Sequence, residues 1–458
     1  MLRHTNRARL LLALTLATAA VVPAAATSAQ TATELPDFYD VPTVGAPPGA
    51  IIRTEPVSVP GLDGSVQRIM YGSESIRGEA IAVTGIVAVP DTPPPAGGYP
   101  VLAWAHGTTG IADACAPSLA AETRSLPLLD ELLDQGWLVV ATDYEGMGTP
   151  GRHPYIVGES EARSVVDSVR AARNLPDLQV STDYVVWGHS QGGHSAMFAL
   201  DRAASLAPEL DLRGVVAGAP PSQLDLVYDY LAGSPYRYYL LMVGAAINAA
   251  YGDEVAPLGE VLNAEGLETV NLVDQGCTAF LAEQTAGVEV ADLLVRQADG
   301  TFNPFANQVW QPLIAAQDPK NFDGPTDTPL LIIHGGNDEQ IPTVSSALLA
   351  DQLCVKGQEL ERWMYPGRTH AGVIQASADD MIRWITARFA PARADQPMVP
   401  TGQGDIDATV CASGEMAAVG TETVPPPTTP PTTPPTGQTG VGPADPARPV
   451  SARPGYTG

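Results

Sequence analysis

The sequence predicts an α/β fold: a mostly parallel, doubly wound sheet carrying an inserted, mainly helical cap. Three observations lead there. Short runs nearly continuous in Val, Ile and Leu recur along the chain, helix-like segments lie between several of them, and one long stretch, about 220–326, breaks that rhythm. Runs that are apolar at every position suit strands covered on both faces, as in a parallel sheet with helices on either side.

The strand-like runs, in order, are AIAVTGIVAV (80–89), YPVLAWAHG (99–107), WLVVATD (137–143), YVVWGHS (184–190), RGVVAGA (213–219) and PLLIIHG (329–335). Between the third and fourth, Ala162, Val165, Val166, Val169 and Ala172 share one helical face. Near the end, ERWMY reads as a strand before a last helix whose apolar face carries Ile374, Met381, Ile382, Ile385 and Phe389. The 220–326 stretch, rich in Tyr, Leu and Ala, is mostly helix-like and reads as a cap inserted into one large domain spanning 30–420.

Both ends read differently. Arg3, Arg7 and Arg9 precede LLLALTLATAAVV, which is too short for a membrane span, and small residues at 24–29 offer cleavage sites; residues 1–29 are expected to be a secretory signal peptide. No other window is long and apolar enough to form a transmembrane anchor. From about 424 to 458 the chain is rich in Pro, Thr and Gly, with almost nothing to bury, and reads as a disordered tail. Such a tail is a solvated spacer, a wall-contacting segment or a sugar acceptor.

The formal net charge of -27 repels phosphate backbones and anionic surfaces, which excludes nucleic acid as a partner. Cys115, Cys277, Cys354 and Cys411 stand far apart with no CxxC pair, so in an exported chain they imply two disulfides and no metal site; three pairings are open on arithmetic alone. Nothing in the sequence implies a cofactor.

The chemistry centres on GHSQGG at 188–193, where an apolar strand-like run passes straight into a helix-like one. Gly188-His189-Ser190-Gln191-Gly192 matches GxSxG in the strand–turn–helix context that exposes a serine hydroxyl on a strained elbow. Ser190 is the candidate nucleophile, and a serine needs a base and a group to orient that base. His370, on the loop between ERWMY and the last helix, is the candidate base; His106 and His334 each close a strand, His189 is within the elbow, His194 lies one helical turn past the serine, and His153 sits in a Gly/Pro loop. Asp338, just after the strand PLLIIHG, is the candidate acid, with Glu339 its close rival. The chain order Ser, Asp, His is that of α/β-hydrolases. An acyl-transfer oxyanion needs N–H donors: the Gln191 amide supplies one, and the AHGTTG loop at 105–110 supplies another from Gly107 or Thr108.

These residues resemble the secretory lipase family, secreted α/β-hydrolases of the yeast lipase A type. The matching pieces are HGTTG followed by DACAPS, then DYEGMG, GHSQGG, NDEQIP and YPGRTH, covering about residues 80–411. The resemblance implies triad roles for Ser190, Asp338 and His370, disulfides Cys115–Cys277 and Cys354–Cys411, and lipase or carboxylesterase action on acyl esters, triacylglycerols or related lipid esters. LDLVYDYLAGSPYRYYLLMVGAAINAAY within the cap offers an apolar, aromatic wall for an acyl chain. Two alternatives stand beside this expectation. A secreted aminopeptidase would use the same triad with cap acids such as Asp225, Asp229 and Glu254 holding the amino group, and a wall-associated binding protein would keep the fold without catalysis.

Overall fold

The computed structural model describes residues 35–41, 45–123, 126–390, 398–401 and 406–419; the expected signal peptide and the tail from 424 lie outside the described residues. The strands are β1 (Ile51–Val57), β2 (Gly64–Glu74), β3 (Ala80–Pro90), β4 (Tyr99–Ala105), β5 (Leu138–Thr142), β6 (Val180–His189), β7 (Asp211–Gly218), β8 (Leu330–Gly335), β9 (Leu360–Tyr365), β10 (Asp407–Ala412) and β11 (Glu415–Ala418). They form one mixed sheet in the order β1-β2-β3-β5-β4-β6-β7-β8-β9-β10-β11. From β5 to β9 all neighbours are parallel. The outer strands on both flanks are antiparallel.

Helices cover both faces of the parallel block. They are α1 (Leu129–Leu133), α2 (Gly158–Arg173) and α3 (Gln191–Leu206), then α4 (Leu224–Ala232), α5 (Tyr238–Tyr251), α6 (Ala264–Thr269), α7 (Thr278–Gln284), α8 (Val290–Leu293) and α9 (Trp310–Ala315), and finally α10 (Thr343–Val355) and α11 (Gly372–Phe389). The two-residue period of a strand divides its side chains between two cores. Val101, Ala103 and Ala105 of β4 pack with α2, α3 and α10, whereas Leu102 and Trp104 face the opposite side with α1 and α11. Trp104 and Trp187, register partners on adjacent parallel strands, bring their rings to 4.3 Å. Every position of these strands is therefore committed to a core, which is why the runs are apolar without alternation.

The run 80–89 departs from the expected parallel block. It is β3, buried along most of its length yet antiparallel to both β2 and β5. Burial on both faces sets its composition, and composition carries no direction. The six helices α4–α9 fall between β7 and β8 and have their own apolar core, including Met242, Ala246, Ile247, Val273, Leu281 and Trp310. Disulfide Cys115–Cys277 ties the segment before α7 to the loop after β4, and Cys354–Cys411 ties α10 to β10. Among the described residues no helix is long and apolar enough to cross a membrane.

Candidate active site

Parallel strands all end on the same edge, so the loops after β4, β6, β8 and β9 meet there. Ser190 stands at the junction of β6 and α3 with φ 61° and ψ -122°, a conformation that costs a non-glycine residue roughly 1–3 kcal/mol. Its neighbours make that turn possible. A Cβ on Gly192 would lie 1.8 Å from the Ala105 carbonyl oxygen, and one on Gly188 would lie 2.0 Å from the Gly192 carbonyl oxygen, so only glycine lets helix and strands approach this closely. The elbow is pinned by Ser190 N–H donating to Gly218 O at 2.9 Å and His194 N–H donating to Ser190 O at 3.0 Å.

Asp338 and His370 are brought together: His370 Nδ1 donates to Asp338 Oδ2 at 2.7 Å. The second oxygen, Asp338 Oδ1, accepts from the Gln340 and Ile341 amides, each at 2.8 Å. His334 Nε2 adds a contact to Oδ2 at 3.1 Å. Burial by itself would raise the Asp338 pKa, but hydrogen bonds from His334 and His370, with their charge, hold it well below the usual carboxylate range. An acceptor-only carboxylate at Nδ1 places a hydrogen on that nitrogen. Glu339, the rival acid, instead accepts from the backbone N–H of His370 at 3.0 Å and does not hold its ring.

The His370 ring lies 4.6 Å from that of His189, the residue before Ser190. Burial, and then the neighbouring His370, lower the His189 pKa well below its ordinary value, so His189 stays neutral. The Ser190 hydroxyl makes no hydrogen bond to a described residue. Such contacts commonly tighten only when substrate is bound.

Gly107 sits against the elbow: a Cβ there would be 3.6 Å from Ser190 Cβ and 3.1 Å from His189 O. Among the described residues, the backbone N–H groups of Gly107, Thr108 and Gln191 have no hydrogen-bond partner. Thr108 is oriented by its hydroxyl, 2.9 Å from Tyr155 Oη. Asp143 of the DYEGMG segment faces away from this chemistry, accepting from Thr84 Oγ1 at 2.7 Å and the Ser118 amide at 2.9 Å, and Glu145 bonds Ser160.

Ser190 also lines a cavity with about 1210 Å³ of empty space, mouth included, that extends into the helices α4–α9. Its wall is apolar, with Val227 and Leu231 from α4, Gly244 and Ile247 from α5, Leu293 from α8 and Ile314 from α9. Tyr155 and Ile156 form the wall beside Ser190. The lining includes no Asp or Glu among the described residues, and Asp225 is bonded to Lys320 at 3.0 Å.

Sequence reasoning did not single out the support of His334 and two backbone amides for Asp338, the role of Tyr155, or the buried Glu161 that accepts from Gln191 Nε2 at 2.9 Å. A signal existed for His334, four residues before Asp338 at the end of the same strand. Glu161 is an acid flanked by Ala162 and Val165 on the buried face of α2.

Comparison with known proteins adds independent findings. The family model described as "Secretory lipase" matches residues 119–396. A probable inactive lipase of Mycobacterium tuberculosis is 25% identical over 369 residues, 75% of this chain and 79% of that protein. Lipase A of Moesziomyces aphidis is 25% identical over 383 residues, 77% of this chain and 81% of that one. In structure the chain is similar to Candida antarctica lipase A in its closed state (TM-score 0.66, 21% identity, 81% of this chain and 89% of that one). It is also similar to the rice cell wall degrading esterase LipA of Xanthomonas oryzae (TM-score 0.62, 19% identity, 76% and 100%).

Proposed function

Because the chain belongs to the secretory lipase family, we propose that it is a secreted serine ester hydrolase that cleaves acyl esters, triacylglycerols or related lipid esters, through Ser190, His370 and Asp338. Ser190 Oγ attacks the ester carbonyl while His370 Nε2 takes its proton. The oxyanion is met by the Gln191 N–H and by that of Gly107 or Thr108. His370 then gives the proton to the leaving alcohol, and water, activated by the same imidazole, releases the acid. Asp338 orients the ring and stabilises the imidazolium without reacting.

The observation that carries this reading is a serine on a strained elbow lining an apolar cavity, with its neighbour His189 in ring contact with His370, whose Nδ1 is held by a carboxylate. An acyl chain suits that cavity. The aminopeptidase alternative would need a carboxylate to hold the substrate's amino group, and the cavity offers none among the described residues. A relative described as probably inactive makes turnover the deciding test. On p-nitrophenyl acyl esters, tributyrin, triolein and aminoacyl amides, the expected outcome is ester hydrolysis without aminoacyl amide cleavage, abolished in Ser190→Ala. No turnover of any ester by the folded protein would overturn the proposal.

A further inference from the structure

Beneath the turn that follows Ser190 lies a cluster of buried polar side chains that the chemistry above does not use. Glu161, in the first turn of α2, is fully buried. Its carboxylate accepts three hydrogen bonds: Oε1 from Gln191 Nε2 at 2.9 Å and from the Ile156 backbone N–H at 3.1 Å, and Oε2 from His194 Nδ1 at 2.8 Å. The partners determine where the hydrogens sit. His194 Nε2 lies 2.7 Å from the Gln317 carbonyl oxygen, so each of its nitrogens faces an acceptor. His153 Nδ1 donates to the Glu145 carbonyl at 2.8 Å, which leaves its Nε2 to accept from Gln191 Nε2, also at 2.8 Å. Both amide hydrogens of Gln191 are thereby engaged. Turning the amide over would set its oxygen against a carboxylate and an imidazole lone pair, so the side chain has one orientation.

Two strained residues lie at or next to the groups this carboxylate holds. Ser190 has φ 61°, and the peptide plane joining it to Gln191 carries the N–H that the proposed chemistry assigns to the oxyanion. Ile156 has φ 59°, a rare conformation for a β-branched residue, and it lines the cavity beside Ser190. Strain of this kind persists only where the surroundings hold it. We propose that Glu161 is the positioning residue of this site: through Gln191 it fixes the oxyanion-facing N–H, and through Ile156 it fixes the adjoining wall of the acyl cavity. A leucine at 161 keeps the size and removes both acceptor oxygens, so the Gln191 amide and the Ile156 N–H lose their shared partner, whereas a glutamine could keep its oxygen on both and turn only its NH₂ toward His194.

This inference rests on Ser190 being the nucleophile, and its test separates the two. Glu161→Leu, Gln191→Met and the double variant are assayed on p-nitrophenyl butyrate, with butaneboronic acid as a probe that forms a tetrahedral adduct on the serine. Removing an oxyanion donor outright costs about 10²–10³-fold, so displacing one is expected to lower kcat about 10- to 100-fold in each single variant. KM should move far less, and boronate affinity should fall in step with kcat. If Glu161 acts through Gln191, the double variant is no worse than the poorer single. Unchanged kcat and boronate affinity in the folded single variants, or losses that multiply in the double, would overturn the proposal. Should Glu161→Leu fail to fold, Gln191→Met alone decides, since it removes no charge: unchanged kcat and boronate affinity there overturn it. Turnover retained in Ser190→Ala would overturn the nucleophile reading and this proposal together, whereas a dead Ser190→Ala beside an unaffected Glu161→Leu overturns this proposal alone.

Discussion

Gly244→Phe should shorten the range of acyl chains accepted while leaving the chemistry intact. Gly244 lies within α5 on the cavity wall, and the nearest heavy atom to a Cβ built there is Leu258 Cδ2, 4.0 Å away. A larger side chain therefore enters empty space, and replacing a mid-helix glycine favours the helix. A phenyl ring occupies room that would otherwise hold about four methylenes of an acyl chain; at about 0.8 kcal/mol each, their exclusion amounts to about 3 kcal/mol. That converts to about 200-fold in kcat/KM for a palmitoyl ester, whereas an acetyl ester ends near Ser190 and should be nearly unaffected. The assay is kcat/KM across p-nitrophenyl acetate, butyrate, octanoate and palmitate, with Gly244→Leu as an intermediate. Profiles that stay parallel to the wild type across all chain lengths would refute the reasoning and put the acyl pocket elsewhere.

Asp338→Asn should lower kcat about 10⁴-fold, because an amide at that position favours the wrong tautomer of His370. Glu339→Gln keeps an acceptor for the His370 backbone N–H and should stay close to wild type; steady-state kinetics giving the reverse ranking would reassign the acid. Replacing Cys115 and Cys277 together by serine should cost about 2–5 kcal/mol in denaturant unfolding, and no change would contradict a structural role for that bridge. Burial pushes His153 down to about 4 from 6.5. Between those values the unfolded chain takes up a proton that the folded one refuses, so this residue's contribution is intact above pH 6.5 and is lost as pH falls toward 4, by about 3 kcal/mol in all. His153→Gln should flatten stability against pH across that window, measured by urea unfolding, and an unaltered slope would refute the linkage.

The parallel block was legible because its strands serve two cores at once. VLAWA and YVVWG carry apolar residues at every position, and each proves to feed both faces. The elbow was legible for a steric reason: Gly188 and Gly192 stand where a Cβ would meet backbone within 2.0 Å. What stayed hidden lacks such a signature. β1 (IIRTEPV) and β2 (GSVQRIMYGSE) mix polar and apolar residues because they are flanking antiparallel strands, partly exposed. β10 and β11 are held by Cys354–Cys411 and by pairing to β9 rather than by a run of core residues. The direction of β3 could not be read, since burial alone shaped it. Around the site, the pairing of Asp338 with His370 was readable from their places after β8 and before α11, but the buried partners were not. Glu161 lies in another helix, 30 residues before Gln191, and only folding shows which charge meets which amide.

The most direct measurement is mass-spectrometric mapping of the protein after reaction with a p-nitrophenyl alkylphosphonate, followed together with release of p-nitrophenol and loss of esterase activity. The expected result is one phosphonyl group per chain, attached to Ser190, with activity lost in proportion to labelling and neither labelling nor activity in Ser190→Ala. A label on another residue, or Ser190→Ala reacting at the wild-type rate, would contradict the assignment of Ser190 as the nucleophile.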